Sequence, residues 1–284
     1  MNISLFYMDL ENNMIGLERC EQILKIEIEK GSDNTDNLSM WDEWPKRGNI
    51  EFINYNASYR PNTPVILKNI NLKIKDGEKI GISGRTGSGK SSLINSLARI
   101  IEPKSGEILI DNTDIKNINL KVLREKISIL PQELFLIEST LRDNIDPLNK
   151  YTDEDILKIV KDLNLFPNLN DKDKLNFEIK ENGKNLSTGE KKLICFARTI
   201  IRNNKIVILD DPTGSLDNES KEIIQENIEK YLKDSTVIII TNQIEMLKQC
   251  KKIIVIDNGE IVEIGNYTKL IKDKKSSFYS LFVK

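Results

Sequence analysis

The sequence predicts an α/β fold with a largely parallel central sheet, and three observations predict it. Short runs of Ile, Val and Leu alternate with helical patterns from residue 50 to residue 256. Several runs are apolar at almost every position, as strands covered on both faces require. A glycine-rich segment, GRTGSGKS (84–91), lies directly between one such run and a helical pattern, the order of a parallel strand–turn–helix unit. At 284 residues, 39% hydrophobic, the chain has the length for one core domain with a subdomain or extension.

The elements follow in chain order. Leu10, Met14, Leu17, Leu24 and Ile28 recur at helical spacing, which predicts an amphipathic helix packed either on its own core or on another polypeptide. Residues 31–37 are polar and turn-rich, and WDEWPKRG (41–48) holds Pro45 and Gly48, so both read as linker. Residues 1–45 are thus expected to precede a domain spanning 46–284. Its strands are predicted at 50–53, 70–74, 79–83, 107–110, 127–130, 205–209, 236–240 and 253–256. The stretch 133–197 lacks such runs and carries helical patterns such as 152–163, which predicts a helical insertion. The charged segment 272–275 reads as a solvated helix face or turn.

Composition excludes several functions. Lys and Arg number 42 against 44 Asp and Glu, a net charge of −2, which argues against binding nucleic acid through its phosphates. No run of about 18 apolar residues occurs, and the leader MNISL has no basic region, so neither a membrane span nor a secretory signal is expected and the chain reads as intracellular. Cys20, Cys195 and Cys250 lack metal-ligand spacing and are expected to be buried thiols. The chain has no histidine, which rules out a histidine-based triad, a histidine-ligated metal or an imidazole proton carrier.

Gly84, Arg85, Thr86, Gly87, Ser88, Gly89, Lys90 and Ser91 match the phosphate-loop pattern G-x-x-x-x-G-K-[ST]. Glycines let successive backbone N–H groups face a polyphosphate, the following helix adds its positive end, Lys90 reaches the outer phosphates, and Ser91 can ligate Mg2+. Asp210 and Asp211 close the run KIVIL (205–209), at the edge where α/β sheets bind ligands. One carboxylate there can hold Mg2+ and its neighbour can orient an attacking water. Gln132 and Asn242 also follow strand ends, so four strand ends converge on one site. Ser187 and Gly189 open an amphipathic helix, where a serine N-cap is the simple explanation.

Together these segments resemble the nucleotide-binding domain of an ATP-binding-cassette transporter. GRTGSGKS (84–91) is similar to Walker A, PQ (131–132) to the Q-loop, LSTGE (186–190) to the signature, IVILD (206–210) to Walker B and SLD (215–217) to the D-loop. LERCEQI (17–23), WPKRGNIEF (44–52), YRPNTPVILKNI (59–70), RTGSGKSSL (85–93) and LRDNIDP (141–147) resemble the second, C-terminal such domain of the C subfamily, the multidrug-resistance-associated type. The resemblance implies a P-loop NTPase core with an antiparallel β subdomain and a helical signature subdomain. It implies Tyr59 stacked on adenine, Ser92 beside Ser91 at the phosphates, and Mg2+ held by Ser91, Gln132 and Asp210. Ser187 and Gly189 would serve the nucleotide of a second such domain, paired head to tail. It also implies that residues 8–30 follow the last membrane-spanning segment of a transporter, with the domain on the cytoplasmic face and no nucleic acid as partner.

Three departures from the family pattern bear on activity. Asp211 stands where a Glu usually positions the attacking water, and misplacement by about 1 Å can cost on the order of a hundredfold in rate. Asn242 stands where the switch histidine is expected, or Gln243 if the alignment shifts by one; neither amide exchanges a proton near neutral pH. Glu190 replaces the usual Gln at the end of the signature. Two functions therefore stand beside each other: an ATPase that drives solute export with slow hydrolysis at its own site, and a regulatory module that holds MgATP without hydrolysing it. A soluble cassette ATPase of DNA repair or translation would need coiled-coil insertions, a second cassette or a basic face, none of which is evident.

Overall fold

The computed structural model describes residues 3–26, 29, 31, 41–60 and 62–282. Met1, Asn2, Ile28, residues 32–37 and Pro61, which figure in the expectations above, lie outside the described residues. Helix α1 (Ile3–Leu24) forms as the apolar spacing predicts. Every residue from Tyr7 to Ile26 is exposed, so α1 does not pack on the core of this chain. Cys20 lies on this helix and is exposed, contrary to expectation, because α1 offers it no core; Cys195 and Cys250 are buried.

Residues 41–48, expected to be linker, pack onto the domain. Trp44 is buried among core residues and its Nε1–H donates to the carbonyl of Ile110. Asp111 accepts the backbone N–H groups of Arg47, Gly48 and Asn49, and these donors hold its carboxyl below the usual carboxylate range against the opposing effect of burial. Two tryptophans present more apolar area than a solvated linker carries, and this decides where the segment lies.

Strands β1 (Ile50–Ala57) and β2 (Leu67–Ile74) pair antiparallel, and β3 (Lys79–Ser83) leads through the glycine-rich loop into α2 (Lys90–Leu97). Next come β4 (Pro103–Ile110) and β5 (Thr113–Asp114), which complete a four-stranded antiparallel sheet ordered β2-β1-β4-β5. Helix α3 (Leu120–Lys126) is capped by Asn119 and runs directly into β6 (Ile127–Leu130).

The following stretch is mostly helical. A two-stranded ribbon of β7 (Ser139–Thr140) and a later strand brackets α4 (Leu141–Ile145), α5 (Asp153–Asp162) and α6 (Asp171–Leu175), and that later strand is β8 (Glu178–Ile179). Thr152 and Asp155 form a reciprocal capping box that starts α5. Helix α7 (Thr188–Ile200) leads back to β9 (Ile206–Asp210), followed by α8 (Asn218–Tyr231), β10 (Thr236–Ile240), α9 (Ile244–Lys248) and β11 (Lys252–Asp257). The chain closes with β12 (Glu260–Gly265), α10 (Tyr267–Leu270) and α11 (Ser277–Phe282).

The central sheet has the order β12-β11-β3-β10-β9-β6, parallel throughout except for β12 at one edge. Successive side chains point to opposite faces of a strand. Ile206 and Ile208 of β9 therefore join the core beneath the antiparallel sheet, while Val207 and Leu209 join the core formed with α7 and α8. This two-sided burial explains the uninterrupted apolar runs. β12 was not anticipated, because as an edge strand it alternates exposed and half-buried positions and reads as polar.

Tyr55 sits in the core beneath the antiparallel sheet, 1% exposed, and burial pushes its phenol up to about 12. Folding therefore favours the protonated phenol. Its contribution is fully present below the unfolded value of about 10 and is lost as pH rises toward 12, at most about 2–3 kcal/mol. Urea midpoints at pH 8 and pH 11 are expected to fall less in Tyr55→Phe than in wild type. Equal falls would show that Tyr55 ionisation does not contribute.

Candidate functional site

The C-terminal ends of β3, β10, β9 and β6, adjacent and parallel, open onto one cleft of about 840 Å³. Tyr59, Thr86, Gly87, Gly89, Lys90, Ser91, Ser92, Gln132, Asp210, Asp211 and Asn242 line it, so residues spread over more than half the chain meet in one place. Gly84, Arg85 and Ser88 complete the loop between β3 and α2. Ser187 and Gly189 do not line this cleft. They open α7 elsewhere on the molecule, with Ser187 as its N-cap.

Two glycines make the loop possible. A Cβ on Gly84 would stand 2.2 Å from the carbonyl oxygen of Ile256, so only glycine lets β3 leave the sheet against β11. Gly89 caps α2 at φ 108°, a conformation that side-chain-bearing residues avoid. Lys90 Nζ donates to the carbonyls of Gly84 (2.8 Å) and Arg85 (2.7 Å), and burial lowers its pKa against the pull of Asp210. Ser88 Oγ is buried and has no hydrogen-bond partner among the described residues.

The carboxylates differ in setting. Asp210 ends β9 half-buried, and burial followed by the neighbouring Asp211 charge raises its pKa, opposed by Lys90 and Lys192. Asp211 takes a left-handed backbone (φ 47°), donates its N–H to the Ile240 carbonyl and accepts Thr241 Oγ1–H at 3.2 Å. Its carboxylate lies against Gly214, where an added Cβ would stand 1.7 Å from Oδ2. Asn242 Oδ1 accepts the Ser83 hydroxyl at 3.0 Å, which leaves the amide N–H groups as the donors on the side away from Ser83. Gln243 also lines the cleft, but its Oε1 is held by Thr213.

Tyr59 is 60% exposed at the cleft mouth, its hydroxyl 3.0 Å from Ser92 Oγ. Sequence reasoning missed Asn258 and Gly259, the turn between β11 and β12. Gly259 N–H donates to the Ser88 carbonyl, and a Cβ there would meet the Ile66 carbonyl at 2.1 Å. The Asn-Gly pair between two apolar segments is the hairpin signal that could have found them. At the start of α7, Glu190 Oε2 accepts both the N–H (2.7 Å) and the hydroxyl (2.8 Å) of Ser187, so this hydroxyl's proton is engaged by a carboxylate.

The cleft suits a magnesium nucleotide. A glycine cradle and a lysine would suit an oligophosphate, an exposed aromatic ring offers a stacking surface, and Ser91, Gln132 and Asp210 are oxygen donors of the kind Mg2+ takes. A cation there would also relieve the crowding of Asp210 and Asp211. Fold and site together define a P-loop nucleotide-binding domain. The ABC transporter family model matches residues 67–214, and the chain belongs to that family, whose domains bind ATP, typically with Mg2+, and as a class hydrolyse it.

The chain is 39% identical to Bile pigment transporter 1 of Saccharomyces cerevisiae over 96% of its length, and 40% identical to ATP-binding cassette sub-family C member 2 of Rattus norvegicus over 95%. It spans 18% of the length of each of these relatives. A bacterial Atm1-family ABC exporter solved with ATP bound shares the fold with a TM-score of 0.83, over 97% of this chain and 47% of that one, at 24% identity. No helix among the described residues is long and apolar enough to cross a membrane.

Proposed function

We propose that this chain is the C-terminal nucleotide-binding domain of a C-subfamily exporter, and that it binds MgATP at the cleft and hydrolyses it slowly. The observation that carries the reading is the convergence of Lys90, Ser91, Gln132, Asp210, Asp211 and Asn242 at four parallel strand ends. Lys90 and the loop N–H groups bind the outer phosphates, Tyr59 stacks on the base, and Ser91, Gln132 and Asp210 hold the cation, which supplies charge neutralisation. Asp211 orients the attacking water, and Asn242 donates a hydrogen bond to the γ-phosphate. Ser187 and Gly189 face the nucleotide of a second domain in a head-to-tail pair.

MgATP closes that pair, and hydrolysis reopens it. The movement passes through the Gln132 region to membrane-spanning segments outside this chain, on whose cytoplasmic face the domain sits. The exposed apolar side chains of α1, among them Met14 and Leu17 at 58% and 66%, support its packing on such segments. The second reading, a regulatory module that holds MgATP while a better site elsewhere hydrolyses it, draws on Asp211, whose carboxylate is shorter than the usual Glu and engaged by Thr241. It draws also on Asn242, an amide that exchanges no proton near neutral pH, and on Glu190, whose carboxylate engages the Ser187 hydroxyl.

The test is equilibrium binding of MgATP to the full chain beside Lys90→Ala, with phosphate release followed in the same samples. Saturable binding is expected, weakened about tenfold or more by Lys90→Ala, since a hydrogen bond from a charged group contributes about 1.5–3 kcal/mol. Binding that ignores Lys90 would overturn the assignment of the cleft.

A further inference from the structure

Lys192 lies on α7, five residues after the N-cap Ser187, and is only 5% exposed. Its ammonium donates to the carbonyls of Asp211 (2.7 Å) and Gly214 (3.1 Å) rather than to a carboxylate oxygen. Burial lowers its pKa against the attraction of the Asp211 and Asp210 charges, so holding a cation here is costly, and an apolar side chain of similar volume would serve stability as well or better. The explanation for a lysine here is therefore sought in what it holds.

It holds a turn. The Asp211 carbonyl also accepts the Gly214 N–H at 3.2 Å, and the turn opens with Asp211 in the left-handed region. Two carbonyl dipoles converge on one point, an arrangement that a positive charge stabilises and that two mutually repelling oxygens would otherwise leave. The same helix begins at Ser187, and its Gly189 packs where a Cβ would come within 3.0 Å of Ser220 Oγ, near the start of α8. Lys192 thus ties the turn 211–214 to α7, whose start packs against the start of α8.

We infer that Lys192 is a positioning residue for hydrolysis: it clamps the turn that carries Asp211 to α7, so that this carboxylate and the Ser187 end of α7 move as one body. The inference rests on the reading of Asp211 as the water-orienting group. An event at the nucleotide facing Ser187 would reach the water-orienting carboxylate of the chain's own cleft through this clamp.

The test uses the full chain with Lys192→Met, which keeps the length and removes the donors, and Lys192→Gln, which keeps an uncharged donor in case the first variant fails to fold. Amide hydrogen exchange is the first readout. Exchange at Asp211 and Gly214 is expected to quicken about tenfold or more in Lys192→Met and by less in Lys192→Gln, with β9, β10 and the body of α7 changed by less than about twofold. Unchanged exchange at 211–214, or a uniform loss of protection across the fold, would overturn the clamp and leave Lys192 an ordinary packing residue.

The second readout is single-turnover phosphate release, with MgATP affinity measured alongside, in wild-type and Asp211→Glu backgrounds. The rate is expected to fall about 10–100-fold in whichever background turns over, while affinity changes by less than about twofold. Local loosening with an unchanged rate would overturn the positioning role. Failure of the underlying reading of Asp211 is recognised separately, as Asp211→Asn turning over at the wild-type rate.

Discussion

Replacing Asp211 by Glu and Asn242 by His together is expected to raise phosphate release from MgATP about a hundredfold over the wild-type chain. The Asp211 carboxylate lines the cleft but is engaged by its own surroundings: Thr241 Oγ1–H binds Oδ1, and Oδ2 rests against Gly214. One more methylene moves the carboxylate more than about 1 Å outward, where it can meet a water in line with the γ-phosphate. Position on that scale accounts for about two orders of magnitude in rate. Histidine at 242 supplies a group that titrates near neutral pH, worth a further factor when the proton of the water must leave. The measurement is phosphate release with nucleotide affinity determined for each protein and Lys90→Ala as the inactive control. If wild type and double variant turn over alike, Asp211 suffices as it stands and the site is not degenerate. If only the double variant turns over while wild type binds MgATP, the regulatory reading is the better one and the chemistry was lost at these two positions.

The sequence carried the site further than it carried the periphery, for physical reasons. Strands β3, β6 and β10 were legible to the residue because burial on both faces leaves mainly Ile, Val and Leu with small residues such as Gly81 and Ser128 between them, and because loop chemistry begins where each strand ends. The turn that holds Gly84 and Lys90 was legible because its glycines, at fixed spacing between an apolar run and a helical pattern, mark a strand–loop–helix unit. Trp44 was misread as linker because Pro45 and Gly48 dominate a local reading, while its partner, the Ile110 carbonyl, is 66 residues away. Cys20 was misread because burial was inferred from residue type, whereas α1 has no core of this chain to pack on. Lys192 was invisible: in sequence it is one more lysine after the signature, and only the fold brings it to the carbonyls of Asp211 and Gly214.

Gly84→Ala is expected to abolish MgATP binding, weakening it more than about a hundredfold, and to lower the melting temperature by on the order of 5 °C. The reason lies in backbone, which cannot swing aside. The new Cβ would stand 2.2 Å from the Ile256 carbonyl oxygen and 2.8 Å from Ser88 Oγ, so either β3 parts from β11 at its end or the loop shifts. Val255 and Ser83 are paired one step earlier in the same parallel ladder, so the first course breaks sheet pairing and the second misplaces the cradle and Lys90 together. Gly77→Ala is the control. Its φ of +65° makes alanine strained there as well, yet nothing lies within 4 Å of its Cβ and it is remote from the cleft. That variant should lose about 1 kcal/mol of stability and keep wild-type affinity for MgATP. The comparison separates two roles of glycine, tolerance of a left-handed backbone and tolerance of close approach. Undiminished binding by Gly84→Ala would mean that the loop can deform against β11 without cost to the phosphates, and the close-packed account of the cradle would fail.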